Sequence, residues 1–119
     1  MEYPMNRGTT SRQLTIANGA ATSDAFEMSN HAGGIILMPA AWTAASIGFK
    51  VSDSPTGAYY PLYDANGSLV QISGPAASQA HTIPAEVFAA AWVKLWSQDG
   101  SANDANQSAP RTLGVILKS

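Results

Sequence analysis

Carboxylates, hydroxyls and aromatic rings crowd one stretch of this chain, "VSDSPTGAYYPLYDANGSLVQI", from Val51 to Ile72. Asp53 and Asp64 bracket three tyrosines there. Two carboxylates flanking a glycosidic bond are what sugar hydrolysis needs, one as acid and the other as base or nucleophile. Both aspartates, however, stand in turn compositions, "SDSPTG" and "YDANG". Asp is favoured in such turns because its side chain bonds nearby backbone amides. The two histidines, His31 and His81, lie far apart in sequence, with no His-x-His or His-Glu-x-x-His spacing. Serine is common, but no Gly-x-Ser-x-Gly elbow exists to hold a nucleophile in a strained turn. A Gly-x-x-x-x-Gly-Lys phosphate loop is missing as well. These residues predict no enzyme and no cofactor.

The run "DGSANDAN" offers oxygens from Asp99, Ser101, Asn103, Asp104 and Asn106. Calcium takes roughly six to eight such ligands. The run lacks the alternating spacing and closing glutamate of an EF-hand loop, so it predicts a solvated or partner-contacting loop and no metal. Aromatics carry more. Tyr59 and Tyr63 share strand parity, with Tyr60 and Leu62 as the opposite set. If Leu62 faces the core, so does Tyr60, and Tyr59, Pro61 and Tyr63 lie outside. Trp92 and Trp96 share one side of "WVKLWSQ" with Lys94 between them. Either outward set can stack on a sugar. Either can equally anchor a protein interface, because Tyr and Trp bring large rigid area at small entropy cost. The candidate contact aromatics are therefore Tyr3, Tyr59, Tyr63, Trp92 and Trp96. Asp99, Asn103 and Asn106 of the polar loop join them.

Positioning these residues falls to short strands. "ASIGFKVS" alternates Ile47, Phe49 and Val51 against Ser46, Gly48 and Lys50. "RTLGVILK" does the same with Leu113, Val115 and Leu117. Leu14 with Ile16, and Phe26 with Met28, repeat the period of two that marks a half-buried strand. "GGIILMP" is a continuous apolar run and predicts a strand covered on both faces. "AYYPLYD" and "SLVQIS" read as a hairpin joined by Asp64-Ala65-Asn66-Gly67, since Asn-Gly supplies the positive φ angles of a tight turn. "IPAEVFAAAW" starts as a helical turn at Pro84 and leads into the Trp92 strand. Trp42 is expected to cap one end of the core. The sum is about eight strands with turn signals between them, an all-β domain. The expected fold is a single antiparallel β-sandwich, jelly-roll-like, over residues 12–119, preceded by an extended arm over residues 1–11.

Composition narrows the function. The chain has 119 residues, enough for one domain with one core. Charged residues make up only 12%, against a usual share of roughly 25%. A surface of Ser, Thr, Asn, Gln, Ala and Gly loses little solvation or side-chain entropy when covered. That suits a protein packed against copies of itself or a larger assembly. Six Lys and Arg are scattered through a chain of net charge −2, so no basic stripe forms for nucleic acid or an anionic membrane. No apolar run approaches the roughly 20 residues of a membrane helix. "MEYPMNRGTTSR" has neither the basic start nor the apolar run of a secretory signal. Cysteine is absent, which removes disulfides and thiolate chemistry together.

The order of the motifs carries a resemblance. "LTIANGAATSDAFEM", "AGGIILMPAAWTAASIGFKVSDSPTGAYYPLYDANGSLVQI", "IPAEVFAAAWVKLWS" and "RTLGVILKS" together resemble small virion proteins of tailed bacteriophages and prophages. It spans Leu14 to Ser119, and its motifs are packing and turn motifs with no catalytic residue. The resemblance implies a non-enzymatic structural protein of a virus particle, made in the bacterial cytoplasm and found in the virion. One placement is a capsid decoration or cement protein over the major capsid protein, as an oligomer of itself, a trimer. The other is a tail, head-fibre or baseplate module that binds host glycan.

Overall fold

The computed structural model describes residues 8–119; Met1 to Arg7, and with them Tyr3, lie outside the described residues. Nine strands follow one another: β1 (Thr9–Ile16), β2 (Thr22–Glu27), β3 (Gly33–Leu37), β4 (Ser46–Ser52), β5 (Tyr60–Pro61), β6 (Gln71–Ile72), β7 (Ala80–Thr82), β8 (Trp92–Gln98) and β9 (Arg111–Lys118). They form two antiparallel sheets, one ordered β1-β9-β3-β7, the other β2-β8-β4-β5 with β6 also on β4. β1 starts at Thr9, so Thr9, Thr10 and Ser11, expected in the arm, are paired strand residues opposite Lys118, Leu117 and Ile116.

Strands β5 and β6 do not pair with each other as the two arms of a hairpin. Tyr60 and Pro61 pair with Val51 and Lys50, and farther along β4 Gln71 and Ile72 pair with Gly48 and Ile47. Between them Leu62 N–H donates to the Phe49 carbonyl at 2.9 Å. The two are halves of one strand, from which residues 63–69 loop out. Counting them once reduces nine strands to eight positions. The first, last, third and sixth positions then make one sheet; the second, seventh, fourth and fifth make the other. Apart from the adjacent fourth and fifth positions, successive strands thus alternate between the sheets, in the double Greek-key order of a jelly roll.

The excursion keeps the expected turn at its tip. Tyr63 bridges Leu69, Asp64 N–H donates to the Ser68 carbonyl at 2.8 Å, and Gly67 adopts a φ of 80°. Asp64 Oδ1 accepts from both Asn66 N–H and Ser68 N–H at 2.9 Å. A lost acceptor in a mostly hydrated turn costs on the order of 1 kcal/mol. Asp64→Ala is therefore expected to destabilise by about 1 kcal/mol and Asp64→Asn by less, read from urea unfolding midpoints.

Alternation builds the core as expected. Leu14 and Ile16 of β1, Phe26 of β2, Ile36 of β3, Ile47 and Phe49 of β4, Val93 and Leu95 of β8, and Leu113, Val115 and Leu117 of β9 are all buried. The segment after Pro84 is a single 3-10 turn, Ala85–Ala89, whose Val87 side chain is fully buried. Trp42 packs against the edge of this core and donates from Nε1 to the Ala45 carbonyl at 3.2 Å.

Two polar residues that sequence reading left unmarked hold the Ser97–Pro110 loop. Gln107 is 1% exposed. Its Oε1 accepts from Thr43 N–H at 2.9 Å and Arg111 Nε at 3.2 Å. Its Nε2 donates to the Thr43 carbonyl at 3.1 Å and Ser97 Oγ at 2.9 Å. Gln98 is buried too, donating to Gln71 Oε1 and accepting from Gly100 N–H, both at 2.6 Å. The loop is folded back onto the second sheet and fastened from within. Buried amides with partners on both ends are how such a segment avoids the cost of burying polar groups.

Candidate functional site

The outer faces of the two sheets differ, and strand register shows how. On the β2-β8-β4 sheet the outward row contains Trp96, Lys94, Lys50 and Gly48. Trp96 is only 2% exposed, which corrects its expected place among the contact residues. Its ring lies against Gly48, where an added Cβ would come within 2.7 Å of the ring, and its Nε1 donates to Asp104 Oδ1 at 2.7 Å. Lys50 Nζ sits 4.7 Å from the Trp96 ring centre. The protein's own polar loop covers this face.

Tyr59 is also engaged within the chain. It is half-buried, its hydroxyl donates to the Pro55 carbonyl at 2.9 Å, and Lys94 Nζ stands 4.5 Å from its ring centre. Burial raises its phenol pKa above the ordinary value. Tyr63 is exposed, as expected for an outward residue. Tyr60 was expected in the core and is instead, among the described residues, the most open of the large apolar side chains, at 66%. Trp92 is half-buried in a groove with Arg12, Asp24 and Glu27 between β1 and β2.

Asp99, Asn103 and Asn106 are exposed. Asp99 is occupied within its own turn: Oδ1 accepts from Ser101 N–H at 2.7 Å and Oδ2 from Asn103 Nδ2 at 3.0 Å. The Asn103 side chain, followed by Ser101 N–H, holds the Asp99 carboxyl below the usual carboxylate range. A lowered folded pKa means this support is complete above the unfolded value and is lost as pH falls through the lowered one. The Ser101 and Asn103 amide resonances are expected to shift, and their exchange to quicken, only at pH below the ordinary aspartate range. Among the described residues no group of three His, Asp or Glu side chains is placed to hold a metal ion.

The β1-β9-β3-β7 sheet presents the opposite picture. "GGIILMP" was expected to be covered on both faces, yet only Ile36 and Met38 are buried and Leu37 is 40% exposed. Ile35 pairs with Ile116 on one side and Thr82 on the other, and Leu37 pairs with Gly114 and Ala80. Strand alternation places Ile35, Leu37 and Ile116 together on the outer face. Ser11, Gln13 and Thr15 of β1 extend the same rows. Lys118, opposite Gly33, is the one charged side chain in these rows. A shallow cavity of about 310 Å³ opens here, lined by Gly33, Gly34, Ile35, Ile116, Lys118 and Ser119. No cover from the described chain lies over this apolar patch. Contiguous apolar patches above a few hundred Å² are rare on monomeric surfaces and mark interaction sites.

No protein-family model matches the chain, and no curated protein matches it. Among solved structures, the fold is similar to the crystal structure of SPBc2 prophage-derived protein YomS. The TM-score is 0.65 at 11% identity, with 100% of each chain covered. At that identity the likeness is one of fold: the same sandwich, end to end.

Proposed function

We propose that the protein is a non-enzymatic structural component of a phage particle, a decoration or cement protein bound outside the major capsid lattice. The observation that carries this reading is the uncovered outer face of the β1-β9-β3-β7 sheet, with Ile35, Leu37 and Ile116 at its centre and one lysine at its rim. Such a face loses little when buried, because almost no charge must be desolvated. The structural likeness to a prophage-derived protein supports the phage context. Low overall charge supports a life in contact with other subunits, including copies of itself in a trimer.

Co-sedimentation with mature capsids stripped of the protein tests this. The expected result is saturable binding at a fixed ratio to capsid subunits and a raised disruption temperature, since a ligand of the assembled state stabilises that state. Binding to tails, fibres or baseplates but not to capsids would move the protein to the adsorption apparatus.

A further inference from the structure

Tyr60 projects from the core-facing side of its strand, paired with Val51, whose neighbours Phe49 and Ile47 of the same parity are buried. It nevertheless remains 66% exposed. Parity sets the direction of a side chain, whereas cover depends on what stands opposite. Here the other wall is Ala89, Ala90 and Ala91, at and just beyond the end of the 3-10 turn, and three methyl groups fill little space. The result is a groove of about 560 Å³ whose lining also includes Ser52, Asp53 and Ala58. Small-molecule sites span roughly 300–1,000 Å³.

Two polar groups of the lining residues, the Asp53 carboxylate and the Tyr60 hydroxyl, have bonding capacity to spare. Among the described residues no hydrogen bond engages the Asp53 carboxylate or the Tyr60 hydroxyl. An apolar side chain inserted here would bury the Asp53 carboxylate without a partner, at high cost. A cation would satisfy the carboxylate and the ring face but leave the Tyr60 hydroxyl donor idle. A pyranose meets all of them: its C–H face lies on the ring, and its hydroxyls both donate and accept.

We infer that the groove between Tyr60 and Ala89–Ala91 binds a pyranose unit of a surface saccharide, with Tyr60 stacking on the sugar and Asp53 hydrogen bonding its hydroxyls. This does not depend on where in a particle the protein sits. The test is a titration of the isotope-labelled full chain, followed by amide shifts, with methyl glucoside, methyl galactoside, N-acetylglucosamine and glucuronate at millimolar concentrations. At least one sugar is expected to give saturable shifts confined to Ser52–Asp53, Ala58–Tyr60 and Ala89–Ala91. Tyr60→Ala should weaken that binding by about tenfold or more, the loss typical of removing a stacking ring. Tyr60→Phe should retain most of it, and Tyr63→Ala, outside the groove, should leave it unchanged. Absence of shifts with every sugar overturns the inference. So do shifts that map elsewhere or survive Tyr60→Ala, and so does binding of N-acetyl-lysine amide in place of the sugars.

Discussion

Trp96→Ala is expected to lower the unfolding free energy by about 3–5 kcal/mol, the usual cost of deleting a buried large aromatic. The ring is 2% exposed although it points away from the core between the sheets. It is held on three sides: Gly48 beneath it, Asp104 at its N–H, and Lys50 Nζ 4.7 Å from its centre. Alanine leaves a cavity and strips Asp104 Oδ1 of its donor, so the 98–107 loop should loosen with it. Gly48→Ala attacks the same contact from below, placing a methyl carbon 2.7 Å from the ring. Overpacking of that kind costs roughly 1–3 kcal/mol. Small domains hold only about 5–15 kcal/mol in total, so the Trp96 variant should stand near the edge of folding. Urea unfolding checks both. A loss below about 1 kcal/mol for Trp96→Ala would mean the ring is a free surface residue, its expected role from alternation alone.

Leu37→Glu is expected to do the reverse, sparing the fold and removing the partner. Leu37 is exposed and lies over Gly114, with Cβ and Cδ1 3.4 Å from where a Cβ would stand on that glycine. A surface substitution of this kind shifts stability by about 0.5 kcal/mol or less. In an apolar contact the new carboxylate would be buried without a counter-charge, which costs several kcal/mol and lowers affinity by about a hundredfold or more. Capsid co-sedimentation of Leu37→Glu beside Ser101→Glu, which adds the same charge to the exposed loop, separates the two surfaces. Equal binding by both variants would show that the β3–β9 face is not the contact.

Much of the sandwich is legible in the sequence because a period of two is a local signal. Ile47 with Phe49, and Leu113, Val115 and Leu117, declare their face through their immediate neighbours, and all are buried. The turn at Asn66-Gly67 is legible for the same reason, since its positive φ is a property of the tetrapeptide. What lies opposite a side chain is not local. Tyr60 has the parity of a core residue but meets only alanines from a segment some thirty positions later. Trp96 has the parity of a surface residue but is roofed by a loop that returns through Asp104. The hairpin of Tyr60–Ile72 holds only at its inner half, where Tyr63 bridges Leu69 and Val70 N–H donates to the Leu62 carbonyl, because the longer partner, β4, takes the outer residues of both arms. Gln107 carries no signal at all: a lone amide in "NDANQSAP" looks like solvent-facing loop until Thr43, Ser97 and Arg111 are brought around it.

The proposed contact face is legible in part. Low charge across the chain predicts a surface suited to cover, while the residues expected to form it are aromatics together with Asp99, Asn103 and Asn106 of the polar loop. Tyr59 and Trp96 turn out to be engaged within the chain. The uncovered aliphatic row of Ile35, Leu37 and Ile116 was hidden inside a run that reads as doubly buried strand. What distinguishes the two is that, among the described residues, no third layer lies over β3 and β9.

The most direct measurement is a cryo-electron microscopy reconstruction of the phage particle proposed to carry this protein. The predicted result is a jelly roll at regular positions on the capsid exterior, its β1-β9-β3-β7 face down, with Leu37 and Ile116 buried against the major capsid protein. A capsid without the protein, or one that carries it with that face turned to solvent, would contradict the proposed role.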